Sequence, residues 1–133
     1  MGRREVIVLD THAWLWWAAD RAKLPKKLQR RLSSARELAI SAISCWEVGM
    51  LVERGRLRLR GDTRMGIRDA LSLDKLRVIP VTDAIAIEAG LLGPSFHGDP
   101  ADRLIVATAL DLCATLVTKD ERIRRSKLVV TLW

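Results

Sequence analysis

Four acidic residues are the strongest candidates for chemistry in this chain of 133 residues, and two of them follow runs that are typical of strands. Asp10 comes directly after the apolar residues 6–9, and Asp120 follows the run 115–118 after one lysine. The carboxyl ends of parallel strands lie at the same edge of a sheet, so the two carboxylates can converge there. Either aspartate could instead serve only as the cap of the next helix.

Glu47 and Asp102 each fall in the apolar stripe of a predicted helix. Most residues three and four positions from Glu47 are apolar, and so are those four and seven positions after Asp102. Burying an unpaired carboxylate costs on the order of several kcal/mol, so such a group is hydrogen-bonded, ion-paired or bound to metal. The structural alternatives are an ion pair between Glu47 and Arg54 and a reciprocal cap between Asp102 and Asp99.

Carboxylates gathered at one edge repel one another unless a cation holds them ionised. Oxygen ligands without a cluster of cysteines or histidines favour Mg²⁺ or Mn²⁺ over zinc. Cys45 and Cys113 are isolated in the sequence, so we expect neither a zinc site nor a disulfide, and we expect both to be core thiols. The four acids therefore predict a site for a hard divalent cation.

Short apolar runs alternate with segments of helical spacing along the whole chain. The predicted strands are residues 6–9, 38–40, 78–81, 115–118 and 128–132, and the predicted helices are residues 11–19, 25–36, 42–54, 63–73, 83–92 and 100–113. This alternation predicts one α/β domain over residues 1–133. We expect a three-layer α/β/α sandwich with a mostly parallel sheet of four to five strands. Pro80 places the third strand at an edge of that sheet.

The chain is basic, with a formal net charge of +7. An excess of positive charge favours the approach of nucleic acid, although basic helix faces also serve solubility alone. Residues 21–36 and 54–60 are rich in arginine and lysine, and either segment could flank phosphates or form a solvated face. Neither an export signal nor a membrane-spanning run is evident, so we expect a cytoplasmic protein and no membrane partner.

Four motifs in order resemble those of PIN domains, above all the VapC-type toxins of toxin–antitoxin pairs, across essentially the whole chain. They are Leu9-Asp10-Thr11-His12, Ser44-Cys45-Trp46-Glu47-Val48, the segment from His97-Gly98-Asp99-Pro100 through Ala101-Asp102-Arg103-Leu104, and Val117-Thr118-Lys119-Asp120. The resemblance implies catalytic and metal-binding roles for Asp10, Glu47, Asp102 and Asp120, with Thr118 in support. Asp99 is either a further acid of the site or only the cap beside Pro100.

The resemblance also implies an activity. PIN-domain toxins of this kind are endoribonucleases that use Mg²⁺ or Mn²⁺, and metal-activated water would leave 5′-phosphate and 3′-hydroxyl ends. The implied partners are an RNA substrate, a cognate antitoxin protein and a second copy of the chain in a homodimer. The RNA target, the cleavage sequence and the number of metal ions are not encoded in any motif that we recognise.

Trp14, Trp16 and Trp17 crowd the first predicted helix, which cannot bury all three at a single face. An exposed aromatic patch favours contact with a protein partner, with base stacking as the rival interpretation. Other classes fit the acids less well. A catalytically silent RNA-binding PIN-like module would have no need of all four. A phospho-receiver or a haloacid-dehalogenase-like phosphatase requires a second acid beside Asp10, and metal-free cleavage would depend on the isolated His12 and His97.

Overall fold

A parallel five-stranded sheet forms the centre of the molecule in the computed structural model, which describes residues 5–133. Its strands are β1 (Val6–Leu9), β2 (Glu37–Ser41), β3 (Leu76–Ile79), β4 (Thr115–Val117) and β5 (Thr131–Leu132). They lie in the order β3-β2-β1-β4-β5, and each neighbouring pair is parallel. The chain leaves β1 toward β2 on one side and returns to β4 on the other. The carboxyl end of β1 is therefore a topological switch point, where α/β proteins form their sites.

Helices cover both faces of this sheet. They are α1 (Thr11–Ala19), α2 (Lys26–Ser34), α3 (Ala42–Glu53), α4 (Thr63–Leu71), α5 (Asp83–Gly90), α6 (Pro100–Asp111) and α7 (Glu121–Ser126), and a short 3₁₀ turn spans Arg21–Lys23. Within residues 5–133, no helix is long and apolar enough to cross a membrane.

The central strand divides the core into two layers because successive side chains point to opposite faces of the sheet. Ile7 packs in one fully apolar cluster with Trp14 and Leu32, while Val8 packs in the other with Ile105. All five side chains are at most 1% exposed. Burial of each such side chain contributes about 1.5–3 kcal/mol. The predicted α/β/α sandwich is confirmed by these two layers.

Several element boundaries differ from the sequence prediction. β3 begins at Leu76 and ends before Pro80, and it does lie at an edge of the sheet. β5 covers only Thr131–Leu132, which pair with Leu116 and Val117 of β4, and the carbonyl oxygen of the preceding Val130 also accepts a hydrogen bond of 2.9 Å from the N–H of Leu116. The sequence prediction missed α7, whose only buried residue is Ile123. The expectation of two core thiols is wrong for Cys113, which is exposed where the chain turns after α6 with a positive φ of 51°.

Candidate active site

All four candidate acids line one open cleft of about 530 Å³, which we call the acid cleft. Asp10 directly follows β1, and Asp120 lies three residues beyond β4, the neighbouring strand. Glu47 comes from the middle of α3 and Asp102 from the first turn of α6. Four separate elements thus bring these carboxylates to the carboxyl edge of the sheet. Asp99 and Lys119 also line the cleft.

Three aspartates of the acid cleft also cap helices. Asp10 Oδ1 accepts a hydrogen bond of 2.8 Å from the backbone N–H of Ala13, and Asp120 Oδ1 accepts one of 3.0 Å from Ile123. Asp99 Oδ1 accepts one of 3.1 Å from the N–H of Asp102. A cap occupies one carboxylate oxygen and leaves the other for a further partner. Capping and membership of the site are therefore compatible for each of these residues.

Glu47 is held by the buried hydroxyl of Thr11, which in turn contacts the buried hydroxyl of Ser44. The Thr11 hydroxyl donates to Glu47 Oε1, and Thr11 Oγ1 lies 2.8 Å from Ser44 Oγ. Both hydroxyl residues are buried, so α1 and α3 are joined by polar contacts beneath the cleft. Among residues 5–133 no ion pair joins Glu47 to Arg54, the structural alternative considered above. Thr11 follows Asp10 directly, which was the available signal for its role.

Asp102 has a histidine as its side-chain partner. His97 Nε2 lies 2.7 Å from Asp102 Oδ2, and the Nδ1 atom of the same ring is buried without a hydrogen-bond partner in the described part of the chain. Arg103 holds the loop that carries His97. Its guanidinium donates to the carbonyl oxygens of His97, Ala89, Gly93 and Phe96 over 2.9–3.1 Å. The position of Asp102 thus depends on a loop fastened to the next residue of the same helix.

The acids of the cleft are electrostatically unfavourable for one another. Burial raises the pKa of Asp10, Glu47 and Asp102, and the charge of Asp102 raises the pKa of Asp10 and of Glu47 further. Negative neighbours likewise raise the pKa of Asp102. Hydrogen bonds from hydroxyls and from His97 act in the opposite direction without cancelling the burial. A cation bound among these carboxylates would remove the repulsion.

The donor set fits a hard cation, but its geometry is not closed around one. In the part of the chain that the structure describes, no three side chains of the His, Cys, Asp or Glu type are arranged to hold a metal ion. The predicted acids therefore share one cleft, and a divalent cation among them stays a prediction. Each acid is turned toward its cap or its side-chain partner. Thr11 and His97 each engage one carboxylate oxygen, of Glu47 and of Asp102 respectively, and leave the second oxygen available to a cation.

The tryptophans of α1 divide between the core and the surface. Trp14 and Trp17 are buried, whereas Trp16 is partly exposed and lines the acid cleft. Trp16 packs edge-on against Trp133, with ring centroids 5.7 Å apart. It also lines a second cavity of about 680 Å³ with His12, and we call this cavity the apolar groove. The groove lies between α1, α4 and residues 56–59. On α3, Trp46 is 58% exposed.

The fold and the cleft define a class that comparison with known proteins identifies. The PIN domain family model matches residues 7–127, and the chain belongs to the PIN-domain family. Within that family it is of the VapC type, since it is 37% identical over 129 residues to Ribonuclease VapC22 of Mycobacterium tuberculosis. That match covers 96% of this chain and 98% of the relative. Because the chain is a PIN domain, it is neither a phospho-receiver nor a haloacid-dehalogenase-like phosphatase.

Solved structures of toxin–antitoxin pairs share this fold. The structure of VapBC2 from Rickettsia felis, bound to a DNA fragment from their promoter, matches with a TM-score of 0.73 and 19% identity. The match covers 96% of this chain and 97% of that chain. VapBC-1 from nontypeable Haemophilus influenzae matches with a TM-score of 0.71 and 20% identity, covering 96% of both chains.

Proposed function

We propose that this chain is a divalent-metal-dependent endoribonuclease. The observation that carries the proposal is the convergence of Asp10, Glu47, Asp102 and Asp120, from four separate elements of a PIN domain, on one cleft. The relative at 37% identity is named a ribonuclease. The raised pKa values of three of these acids support a cation as the missing partner, because a cation would offset the cost of gathering the carboxylates in one cleft.

The four acids would hold Mg²⁺ or Mn²⁺. Such an ion supplies an activated water and neutralises the charge that develops on the phosphate during in-line displacement. The chain keeps the carboxylates in place: Ala13 N–H fixes Asp10, Thr11 fixes Glu47, and His97 fixes Asp102. Lys119 at the cleft is placed to attract the phosphate. Because water attacks the phosphorus and the bond from phosphorus to the 3′-oxygen breaks, the products carry 5′-phosphate and 3′-hydroxyl ends.

Cleavage of RNA by single-acid variants tests this proposal. Asp10→Asn and Asp102→Asn should each lower the rate with Mg²⁺ by about 100-fold or more, since each removes a charge from the cation site. Asp62→Asn is the control, because Asp62 caps α4 on the exposed surface. Equal rates for Asp10→Asn and the unaltered chain would overturn the mechanism. RNA binding without cleavage by the unaltered chain would favour the silent module instead.

The chemistry of the product ends is tested separately. An RNA with a 2′-deoxy substitution at the cleaved position should still be cut, because the proposed attack does not use the 2′-hydroxyl. End labelling should detect 5′-phosphates. A 2′,3′-cyclic phosphate product would instead point to His12 or His97 as metal-free catalysts.

We further propose that an antitoxin protein restrains the nuclease and that the chain forms a homodimer. Solved structures that share this fold are of VapBC complexes, which supports a protein partner for this chain. The apolar groove presents Leu15, Leu57 and Leu73 beside the acid cleft, which suits an apolar segment of a partner. Light scattering of the purified chain alone should give the mass of a homodimer. With the protein encoded by the neighbouring gene, which is the candidate antitoxin, it should give the larger mass of a complex. A monomeric mass would contradict the homodimer, and an unchanged rate of RNA cleavage with that product bound would contradict restraint.

A further inference from the structure

A second polar cavity lies beside the acid cleft and has the opposite charge. This cavity of about 410 Å³, which we call the arginine pocket, is lined by Arg122, Arg125, Ser95, Ser126 and His97, together with apolar residues. The two arginines stand three positions apart on α7, so they share one helix face. Among the described residues that line the pocket, none is acidic.

The arginine pocket and the acid cleft share a border. His97 lines the pocket, and its Nε2 atom contacts Asp102, which lines the cleft. Arg122 lines the pocket, and its Nη2 atom lies 3.9 Å from Asp120 Oδ2. Two pairs of contacting side chains therefore separate the cavities. The acid cleft and the arginine pocket are thus neighbouring cavities that meet at these two side-chain pairs.

The guanidinium groups have capacity for a ligand. Arg122 is 60% exposed, and its contact with Asp120 is longer than a hydrogen bond. Arg125 donates only from Nε, at 3.4 Å, to the carbonyl oxygen of Glu121. Guanidinium groups form paired hydrogen bonds to phosphate oxygens, and the hydroxyl of Ser95 can add to them, whereas that of Ser126 already donates to the carbonyl oxygen of Ile123. The chemistry that this pocket would recognise is a phosphate.

We propose that the arginine pocket binds one phosphodiester of the RNA strand, adjacent to the linkage that is cut in the acid cleft. This inference rests on the proposed ribonuclease function. The electrostatic reason is the charge of the acid cleft, which repels an RNA strand along most of its lining. The arginines next to the cleft add to the attraction that Lys119 provides within it, and they fix which linkage lies over the carboxylates.

Salt-dependent binding tests the pocket. The full chain with Asp10→Asn, which prevents turnover, is titrated into a short single-stranded RNA of mixed sequence, and anisotropy is followed at several salt concentrations. Arg125→Gln should weaken binding by about 3- to 10-fold and lower the slope of log K against log salt by about 0.7, the value of one lost phosphate contact. Arg125→Lys keeps the charge and should keep most of the slope.

Arg124→Gln is the matched control. Arg124 lies on the same helix but contacts Glu121 and does not line the pocket. If Arg124→Gln and Arg125→Gln lower affinity and slope equally, the effect is one of overall charge and the pocket proposal is overturned. If the unaltered chain neither binds nor cuts RNA, the proposed function fails as well, which is a distinguishable result.

Neutral linkages identify the phosphate. Once the cut linkage of a test RNA is mapped with the active chain, a methylphosphonate replaces the linkage on either side in turn. One of the two replacements should slow cleavage by the unaltered chain about 10-fold and have little further effect on the Arg122→Gln, Arg125→Gln double variant. If cleavage slows only when a terminal phosphate of the RNA is removed, the assignment of the pocket to an internal phosphodiester is overturned. Loss of antitoxin binding by the double variant without any loss of RNA binding would overturn it as well.

Discussion

Acidic side chains at the two edges of the parallel sheet have different partners, and their pKa values shift in opposite directions. At the amino edge, just before β1, Glu5 accepts hydrogen bonds of 2.8 and 2.6 Å from Arg31, and Glu37 at the start of β2 pairs with Arg77 at 2.9 Å. The hydrogen bond from Arg31 lowers the pKa of Glu5. At the carboxyl edge, burial raises the pKa of Asp10 and of its neighbours.

This difference separates acids that support the fold from acids that burden it. A carboxylate with a lowered pKa stabilises the folded chain at neutral pH, whereas one with a raised pKa destabilises it. The partners at the carboxyl edge are hydroxyls, backbone N–H groups and one histidine, and they do not offset the burial of charge. The acids of the carboxyl edge therefore cost stability, which agrees with the cation site proposed for them. The predictions below change one edge at a time.

The largest effect is expected from removal of the arginine that organises the carboxyl edge. Arg103→Met deletes at least four hydrogen bonds to the loop that carries His97. The carbonyl oxygens left behind lose their partners, and we expect the free energy of unfolding to fall by about 3 kcal/mol. Urea denaturation measures this loss.

Arg103→Lys serves as the control for charge. Lysine keeps the positive charge but cannot span all of these carbonyl groups with a single ammonium, so the loss should be intermediate. Hydrogen exchange in residues 93–98 should quicken in Arg103→Met while the amide groups of β2 stay protected. Equal stability of both variants and the unaltered chain would show that the loop does not depend on this guanidinium.

The sequence predicts the fold well where local pattern and tertiary context agree. β1 and α1 begin and end where predicted, because an unbroken apolar run and a capping aspartate mark them. β3 is displaced by two residues, since Arg77 interrupts its apolar pattern on an exposed edge strand. Only two residues of the last predicted strand pair in the sheet. Val130 was included in the prediction because it is apolar, although its side chain is exposed. α7 contains one buried apolar residue and therefore shows no helical period.

The same reasoning explains what the sequence reveals of the site. The acids can be picked out from the sequence because they stand at the ends of apolar strands or within the apolar faces of helices, where a charged residue is unusual. Their partners are not, since the contacts from Thr11 to Glu47 and from His97 to Asp102 depend on side-chain orientation. The arginine pocket was also beyond prediction, because α7 itself was missed.

A smaller effect, of opposite sign, is expected from removal of a charge at the carboxyl edge. Asp10→Asn retains a capping side chain but no longer buries a carboxylate, so in the presence of a chelator it should stabilise the chain by on the order of 1 kcal/mol. Thermal unfolding should then show a rise in Tm of about 4 °C. Addition of Mn²⁺ should raise the Tm of the unaltered chain more than that of the variant.

Asp62→Asn provides the comparison for this change. Asp62 Oδ1 accepts a hydrogen bond of 3.0 Å from the N–H of Met65, which is the same capping contact on the exposed surface. We expect almost no change in its Tm, because no buried charge is removed. If both variants gain equally, asparagine is simply the better cap, and the burden ascribed to the carboxyl edge is not real.

The smallest effect is expected at the amino edge, where an acid is removed that supports the fold. Glu5→Gln should lower the free energy of unfolding at pH 7 by about 0.5 kcal/mol, a modest value because the Arg31 side chain is partly exposed to solvent. The folded-state pKa of Glu5 lies below its ordinary value of 4.5, so the contribution of Glu5 to the free energy of unfolding is complete above that value. It is lost as the pH falls through the lower folded-state pKa, and the two proteins should then become equally stable.

Glu53→Gln, at the exposed end of α3, is the control and should show no such pH-dependent difference. A gap between Glu5→Gln and the unaltered chain that persists in acid would assign the effect to packing of the side chain, and the contrast between the two edges would then rest on Asp10 and its neighbours alone.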